Sequence, residues 1–154
     1  MLFRSFLRKE AQERFLRYVR IDTQSDPDST MHPSSEGQWV LARLLREELL
    51  DLGLLDVELD ANCYGYAALP ASEGFVGPAI TFCAHLDTSP SESGADVTPV
   101  VIENYDGRDI RLSGSGSQGL RPAESPELLQ FMGETLIVSE IGRASCRERV
   151  SSPV

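Results

Sequence analysis

Ala79-Ile80-Thr81-Phe82-Cys83-Ala84-His85-Leu86-Asp87-Thr88-Ser89-Pro90 passes from an uncharged apolar run into a polar, turn-forming stretch. The run Ala79–Ala84 is short, rich in β-formers and free of charge, the pattern of a strand buried on both faces. In an extended backbone, side chains two apart point to one side, so His85 and Asp87 leave the strand together and project into the loop. An imidazole that binds an ion through one ring nitrogen, with a carboxylate fixing its orientation, is a recurrent metal-site arrangement. A lone His-x-Asp triplet is more often a strand-end histidine followed by a loop-capping aspartate, so the surrounding sequence has to decide.

Upstream, Phe6, Leu7, Phe15, Leu16 and Val19 recur at near-helical spacing among charged residues, which predicts a first amphipathic helix ended by Ile21-Asp22-Thr23-Gln24-Ser25-Asp26-Pro27. Ser34 or Ser35 caps a second helix, with Gln38 placed to complete a capping box from Ser35. Trp39, Leu41, Leu44, Leu45 and Leu49 form its apolar face up to Gly53, and the pair Glu47-Glu48 reads as a solvated face. Beyond Gly53 the period changes to two, with Val57 and Leu59 alternating with charge and Tyr64–Leu69 following as a further strand. Downstream, Ser, Pro, Gly and Asp crowd the loop from Asp87 to Pro99, and Asn104-Tyr105-Asp106-Gly107 is a turn between Val100-Val101-Ile102 and Ile110-Arg111-Leu112. Helices followed by several short strands give an α/β fold, a mixed β-sheet flanked by helices. No internal repeat is present.

The chain has 154 residues, 41% of them hydrophobic, which suffices for a globular core. Against 14 Lys and Arg stand 24 Asp and Glu, and the formal charge of -10 repels phosphate backbones and anionic lipid, so nucleic-acid and membrane partners are not expected. No apolar run approaches the roughly 20 residues that span a bilayer. The first ten residues are too charged for a signal peptide's apolar core, which together with Cys63, Cys83 and Cys146, an odd and unpaired set, suggests a reducing, cytoplasmic location.

Other candidate groups carry less. His32 precedes Pro33 in a polar linker and reads as a solvated loop histidine without a role. Cys83, inside the apolar run, reads as a buried, inert thiol rather than a soft ligand. Gly114-Ser115-Gly116-Ser117-Gln118-Gly119 lacks the Lys-Ser/Thr pair and the following helix of a phosphate-binding loop and reads as a surface loop.

Several separate segments together resemble one family. Arg14-Phe15-Leu16-Arg17-Tyr18-Val19 with Ile21–Asp26, the passage Leu52-Gly53-Leu54 to Val57–Asp60, and above all Ala84-His85-Leu86-Asp87-Thr88-Ser89-Pro90 with Ser93-Gly94, Val97, Pro99 and Asn104–Gly107 are similar to the peptidase T family of tripeptide aminopeptidases, within the dinuclear zinc exopeptidases. The resemblance covers residues 6 to 139. It implies that the chain is the amino-terminal, incomplete part of a zinc exopeptidase catalytic domain (residues 1–139), that His85 is a ligand of one zinc ion, and that Asp87 is the neighbouring catalytic acid supporting the site. For the complete enzyme it implies two zinc ions activating a shared water, a glutamate general base, small peptide substrates and a homodimer built with a second domain. The family's bridging aspartate, Glu-Glu pair and later ligands have no counterpart here, so the resemblance also implies an inactive fragment with at most one partial metal site. A non-catalytic fragment or binding module, and a related dipeptidase or aminoacylase, are the alternatives.

From Glu140 the sequence departs from the family. Glu140-Ile141-Gly142-Arg143-Ala144-Ser145-Cys146-Arg147-Glu148-Arg149-Val150 has no hydrophobic period and resembles a translated sequencing adapter, so residues 140–154 are expected to be a non-native tail and their basic residues no binding patch, a genuine short C-terminal tail being the alternative.

Overall fold

The computed structural model describes residues 2–91, 93–112 and 119–139. The expected tail lies outside the described residues, as does most of the glycine-serine stretch. Two compact units partition the chain, one comprising Thr23–Pro90 and the other Met1–Asp22 with Ser91–Val154.

In the second of these, α1 runs Leu2–Tyr18 and is supported by i,i+4 ion pairs Lys9–Glu13 and Glu10–Arg14, both at 3.7 Å. It takes in the stretch expected from Phe6 onward, but Phe6, Leu7 and Phe15 stay exposed, so its apolar stripe is not sealed. Strand β3 (Val100–Ile102) pairs antiparallel with β6 (Leu136–Val138), Val101 facing Ile137. Strand β4 (Ile110–Arg111) pairs antiparallel with β5 (Gly119–Leu120), and a Cβ at Gly119 would collide with the Ile110 carbonyl, so this close approach needs glycine. The buried core here is Tyr105, Ile110, Leu112 and Val138, with Val100, Ile102, Leu120, Leu128 and Leu136 packed against it. Leu128 comes from the 3-10 helix Pro126–Phe131.

The turn read at Asn104–Gly107 is present, with Asn104 at φ 51° and Gly107 at φ 85° in the left-handed region. It does not join two paired strands. Tyr105 N–H donates to Glu134 O at 2.9 Å and Gly133 N–H donates to Tyr105 O at 2.8 Å, tying the turn to the approach of β6, while the Tyr105 hydroxyl donates to Arg108 O at 2.8 Å.

In the unit Thr23–Pro90, α2 spans Glu36–Asp51 and buries Gln38, Leu41, Ala42 and Glu48. Two expectations change here. Ser35 is the N-cap but makes no side-chain cap bond, and Gln38 turns its amide to Ser34 Oγ at 3.1 Å, so no capping box closes. Glu48 belongs to the buried face, two turns beyond the buried Leu41 and not on the solvated side with Glu47. Gly53, at φ 76°, ends the helix, with Gly53 N–H donating to Leu50 O and Leu54 N–H to Leu49 O. Helix α2 packs on the hairpin of β1 (Leu55–Leu59) and β2 (Gly65–Ala68), which is antiparallel with an irregularity between Leu55 and Glu58. The hairpin loop is organised by the Asp60 carboxylate, which accepts from Asn62 N–H and Tyr64 N–H at 2.8 Å each.

Helices and small antiparallel sheets are the content of a partial α/β domain. The single mixed sheet is not formed among the described residues, where the strands make three two-stranded antiparallel ladders and one isolated parallel bridge, Gln24 to Thr88. The run Ala79–Ala84 is not a strand, and Ile80 and Phe82 stand 80% and 93% exposed. A strand of this composition is stable when neighbours cover both faces and satisfy its backbone groups, and no described segment does either. For the same reason Cys83, expected buried, is exposed.

Candidate functional site

The two residues singled out by sequence stand together just beyond this open run. His85 Nδ1 lies 2.7 Å from Asp87 O and 3.1 Å from Asp87 Oδ1. Both neighbours of Nδ1 are acceptors, a carbonyl and a carboxylate, so Nδ1 carries the proton and donates. In the neutral ring the lone pair is then on Nε2, the form in which a histidine ligates a metal while its other nitrogen is held by a carboxylate or carbonyl. The side chains of His85 and Asp87 are 66% and 46% exposed, so the pair opens to solvent and its Coulombic attraction is largely screened.

The loop that carries the pair is fastened by residues 63 to 66 positions away. Thr88 N–H donates to Thr23 O at 3.1 Å, Ser25 N–H and Ser25 Oγ–H both donate to Thr88 O at 2.9 Å, and Gln24 Nε2–H donates to Pro90 O at 3.0 Å. Thr23 is buried, and Gln38 of α2 stands 3.5 Å from its carbonyl. This fixes the strand of polypeptide immediately after Asp87, so the backbone carbonyl that holds the imidazole is itself held. Residues Thr23-Gln24-Ser25 read by sequence as the end of a helix and as part of the resembling segment Ile21–Asp26, and a contact at such separation leaves no periodic signal.

The donor set on hand is one imidazole nitrogen and one carboxylate. Among the described residues no group of three or more His, Cys, Asp or Glu stands at metal-holding distances, and Cys83, two residues before His85, joins no such group. His85 and Asp87 fit one edge of a metal site and do not by themselves close one. His32 serves no part in it and lies against the Tyr64 ring at 5.3 Å between centroids. Cys63 is buried, and burial pushes its thiol above the ordinary value although the Arg43 guanidinium pulls the other way. No helix among the described residues is long and apolar enough to cross a membrane.

The chain has close relatives among curated proteins. It is 48% identical over 134 residues to the peptidase T of Geobacillus thermodenitrificans, a match covering 87% of this chain and 33% of that protein. It is 50% identical over 128 residues to a peptidase T of Desulfitobacterium hafniense and 48% identical over 128 residues to that of Photobacterium profundum, each match covering 83% of this chain and 31% of the relative. The chain thus spans about a third of the length of the curated relatives it matches. No protein-family model matches it.

Proposed function

We propose, from the premise that this chain is a homologue of the peptidase T proteins over most of its length, that it is the histidine-bearing part of a metallo-aminopeptidase that releases the amino-terminal residue of tripeptides. The observation that carries this reading is the His85–Asp87 arrangement, which commits Nδ1 to donation and leaves the lone pair on Nε2 of a largely exposed side chain. Zinc bound in the complete enzyme would supply the Lewis acidity that makes water a nucleophile near neutral pH. His85 contributes one nitrogen donor through Nε2. Asp87 holds the imidazole in the ligating tautomer and adds negative charge beside the site. The clasp from Thr23–Ser25 keeps the Asp87 carbonyl in place against rotation of the ring.

One donor nitrogen and one carboxylate neither close a two-metal site nor provide a general base, so the chain itself is proposed to be inactive, with residues 1–139 as a partial catalytic domain and 140–154 as a non-native tail. Cytoplasmic location and a homodimer of the complete enzyme belong to the same proposal. The absence of a three-ligand group among the described residues also favours the reading of a non-catalytic fragment, which differs in what the chain does alone and not in its origin. Zinc stoichiometry and tripeptide hydrolysis, measured together on the chain and on His85→Ala, test this. Weak zinc binding that disappears in the variant, without hydrolysis in either, is expected; turnover of tripeptides by the chain alone would overturn the inactive assignment, and zinc binding unchanged in His85→Ala would remove His85 from the site.

A further inference from the structure

Gln38 puts a primary amide into the buried face of α2, where Leu41 and Ala42 follow it, and is itself 6% exposed. A buried amide costs stability unless its hydrogens are taken up, and both hydrogens on Nε2 have an acceptor, Ser34 Oγ at 3.1 Å and Thr23 O at 3.5 Å. A carbonyl can only accept, so it is the amide nitrogen and not its oxygen that faces Thr23. The same Thr23 O takes the Thr88 N–H at 3.1 Å, and that N–H belongs to one planar peptide unit with the Asp87 carbonyl that receives the His85 Nδ1–H at 2.7 Å. We propose that Gln38 is a positioning residue for His85: acting through the Thr23 carbonyl and the Asp87–Thr88 peptide, it sets the orientation of the imidazole and the direction of the Nε2 lone pair.

A peptide plane turns about its flanking bonds unless both of its edges are held. Here the N–H edge is anchored at Thr23 and the oxygen edge meets the imidazole, and donation by the N–H makes the oxygen the better acceptor. The anchor is only as well placed as Thr23 itself, which lies in the linker before α2. The Gln38 amide grips that linker at both ends, at Thr23 O and at Ser34 Oγ, and Ser34 Oγ in turn accepts the Asp26 N–H at 3.1 Å. One side chain on a helix thus fixes the segment 23–34 and, through Thr23, the acceptor of the imidazole proton. The Thr88–Thr23 bond is backbone to backbone and needs no particular side chain at position 38; what the amide adds is the placing of Thr23. That the lone pair so aimed takes up a metal rests on the reading of His85 as a ligand, whereas the aiming does not.

The test is nitrogen NMR of the His85 ring at about pH 9, above the ordinary histidine range, in the chain and its variants. Gln38→Met keeps the length of the side chain and removes both donors, while Thr23 O keeps the Thr88 N–H and Ser34 Oγ keeps the Asp26 N–H, so no buried acceptor is orphaned. It is expected to raise the ratio of the Nε2–H to the Nδ1–H tautomer about two- to fivefold, within the range that a contact network transmits. With Asp87→Ala added, the ring has lost its second acceptor as well, and the combined shift is expected to exceed the product of the two single shifts by at least about twofold. Leu41→Val, a core change on the same helix face, is the control and is expected to leave the ratio unchanged. Ser34→Ala removes one of the two acceptors of the amide; it is expected to move the ratio in the same direction by less, and it carries the test if Gln38→Met does not fold. A ratio unmoved in Gln38→Met or, in its place, Ser34→Ala, an equal shift in Leu41→Val, or a double variant that matches the product would overturn the proposal. Zinc added to the same samples separates the two readings: the tautomer shift without any zinc response at Nε2 would support the positioning and remove the metal ligand, and a zinc response with an unmoved ratio would do the reverse.

Discussion

Replacing Asp87 by Ala isolates what the carboxylate does for the imidazole. His85 Nδ1–H has two acceptors, the Asp87 carbonyl at 2.7 Å and the Asp87 carboxylate at 3.1 Å, and the substitution removes only the longer. Because the two side chains are 66% and 46% exposed, the charge-assisted bond is discounted to the range of exposed pairs, about 0.2–1 kcal/mol. A loss of that size shifts the ratio of Nδ1–H to Nε2–H tautomers by at most about fivefold. The shorter carbonyl bond remains, so Nδ1–H stays the major form. Nitrogen NMR of the His85 ring at about pH 9, well above the ordinary histidine range, reports the ratio directly. The unsubstituted chain is expected to show a protonated Nδ1 and an unprotonated Nε2, with a measurable shift toward the other tautomer in Asp87→Ala. On adding zinc, Nε2 is expected to respond rather than Nδ1, with affinity lowered in the variant by at most about fivefold. A protonated Nε2 in the unsubstituted chain, or a zinc response confined to Nδ1, would refute the argument from the two acceptors.

Further consequences follow from packing and titration. Ile110→Ala, at a core position 5% exposed, is expected to destabilise the chain by about 2–5 kcal/mol in urea unfolding, whereas Leu69→Ala, 82% exposed, is expected to stay within about 0.5 kcal/mol. Burial, with the Asp106 and Asp109 carboxylates adding to it, raises the Tyr105 phenol above its ordinary value of 10.0, so the folded state keeps this proton to higher pH than the unfolded one. Its contribution to stability is complete below pH 10 and declines as pH rises through the folded value, and Tyr105→Phe is expected to flatten that decline in unfolding curves taken from about pH 9 upward. Thiol labelling followed by peptide mapping is expected to modify exposed Cys83 well before buried Cys63, whose raised thiol value slows it further; equal rates would contradict the placement of Cys63.

Local signals were legible and pairing was not. The apolar period of α2, its stop at Gly53 and the alternation at Val57 and Leu59 depend on neighbours within one or two turns, and each appears in the structure where the sequence places it. The adjacency of His85 and Asp87 is likewise local, a contact between residues two apart in the chain. Glu48 escaped because two adjacent carboxylates look solvated until the helix phase puts one of them inward. Which strands meet depends on contacts across tens of residues, so the Asn104–Gly107 turn was read correctly while the pairing of β3 with β6 and of β4 with β5 was not available from spacing. Ala79–Ala84 shows the limit most plainly, since its composition records an environment that the described residues do not supply.

The bonds that pin Thr88 and Pro90 to Thr23, Gln24 and Ser25 close the unit Thr23–Pro90 on itself. Drawing the two ends of a loop of this length together costs on the order of 4 kcal/mol of chain entropy, beyond a length-independent constant. Adjacent ends also make the segment a cassette. A circular permutant that joins Pro90 to Thr23 by a short linker, and opens in the exposed stretch near Gly74, removes that entropy cost covalently while leaving α2 and its hairpin untouched.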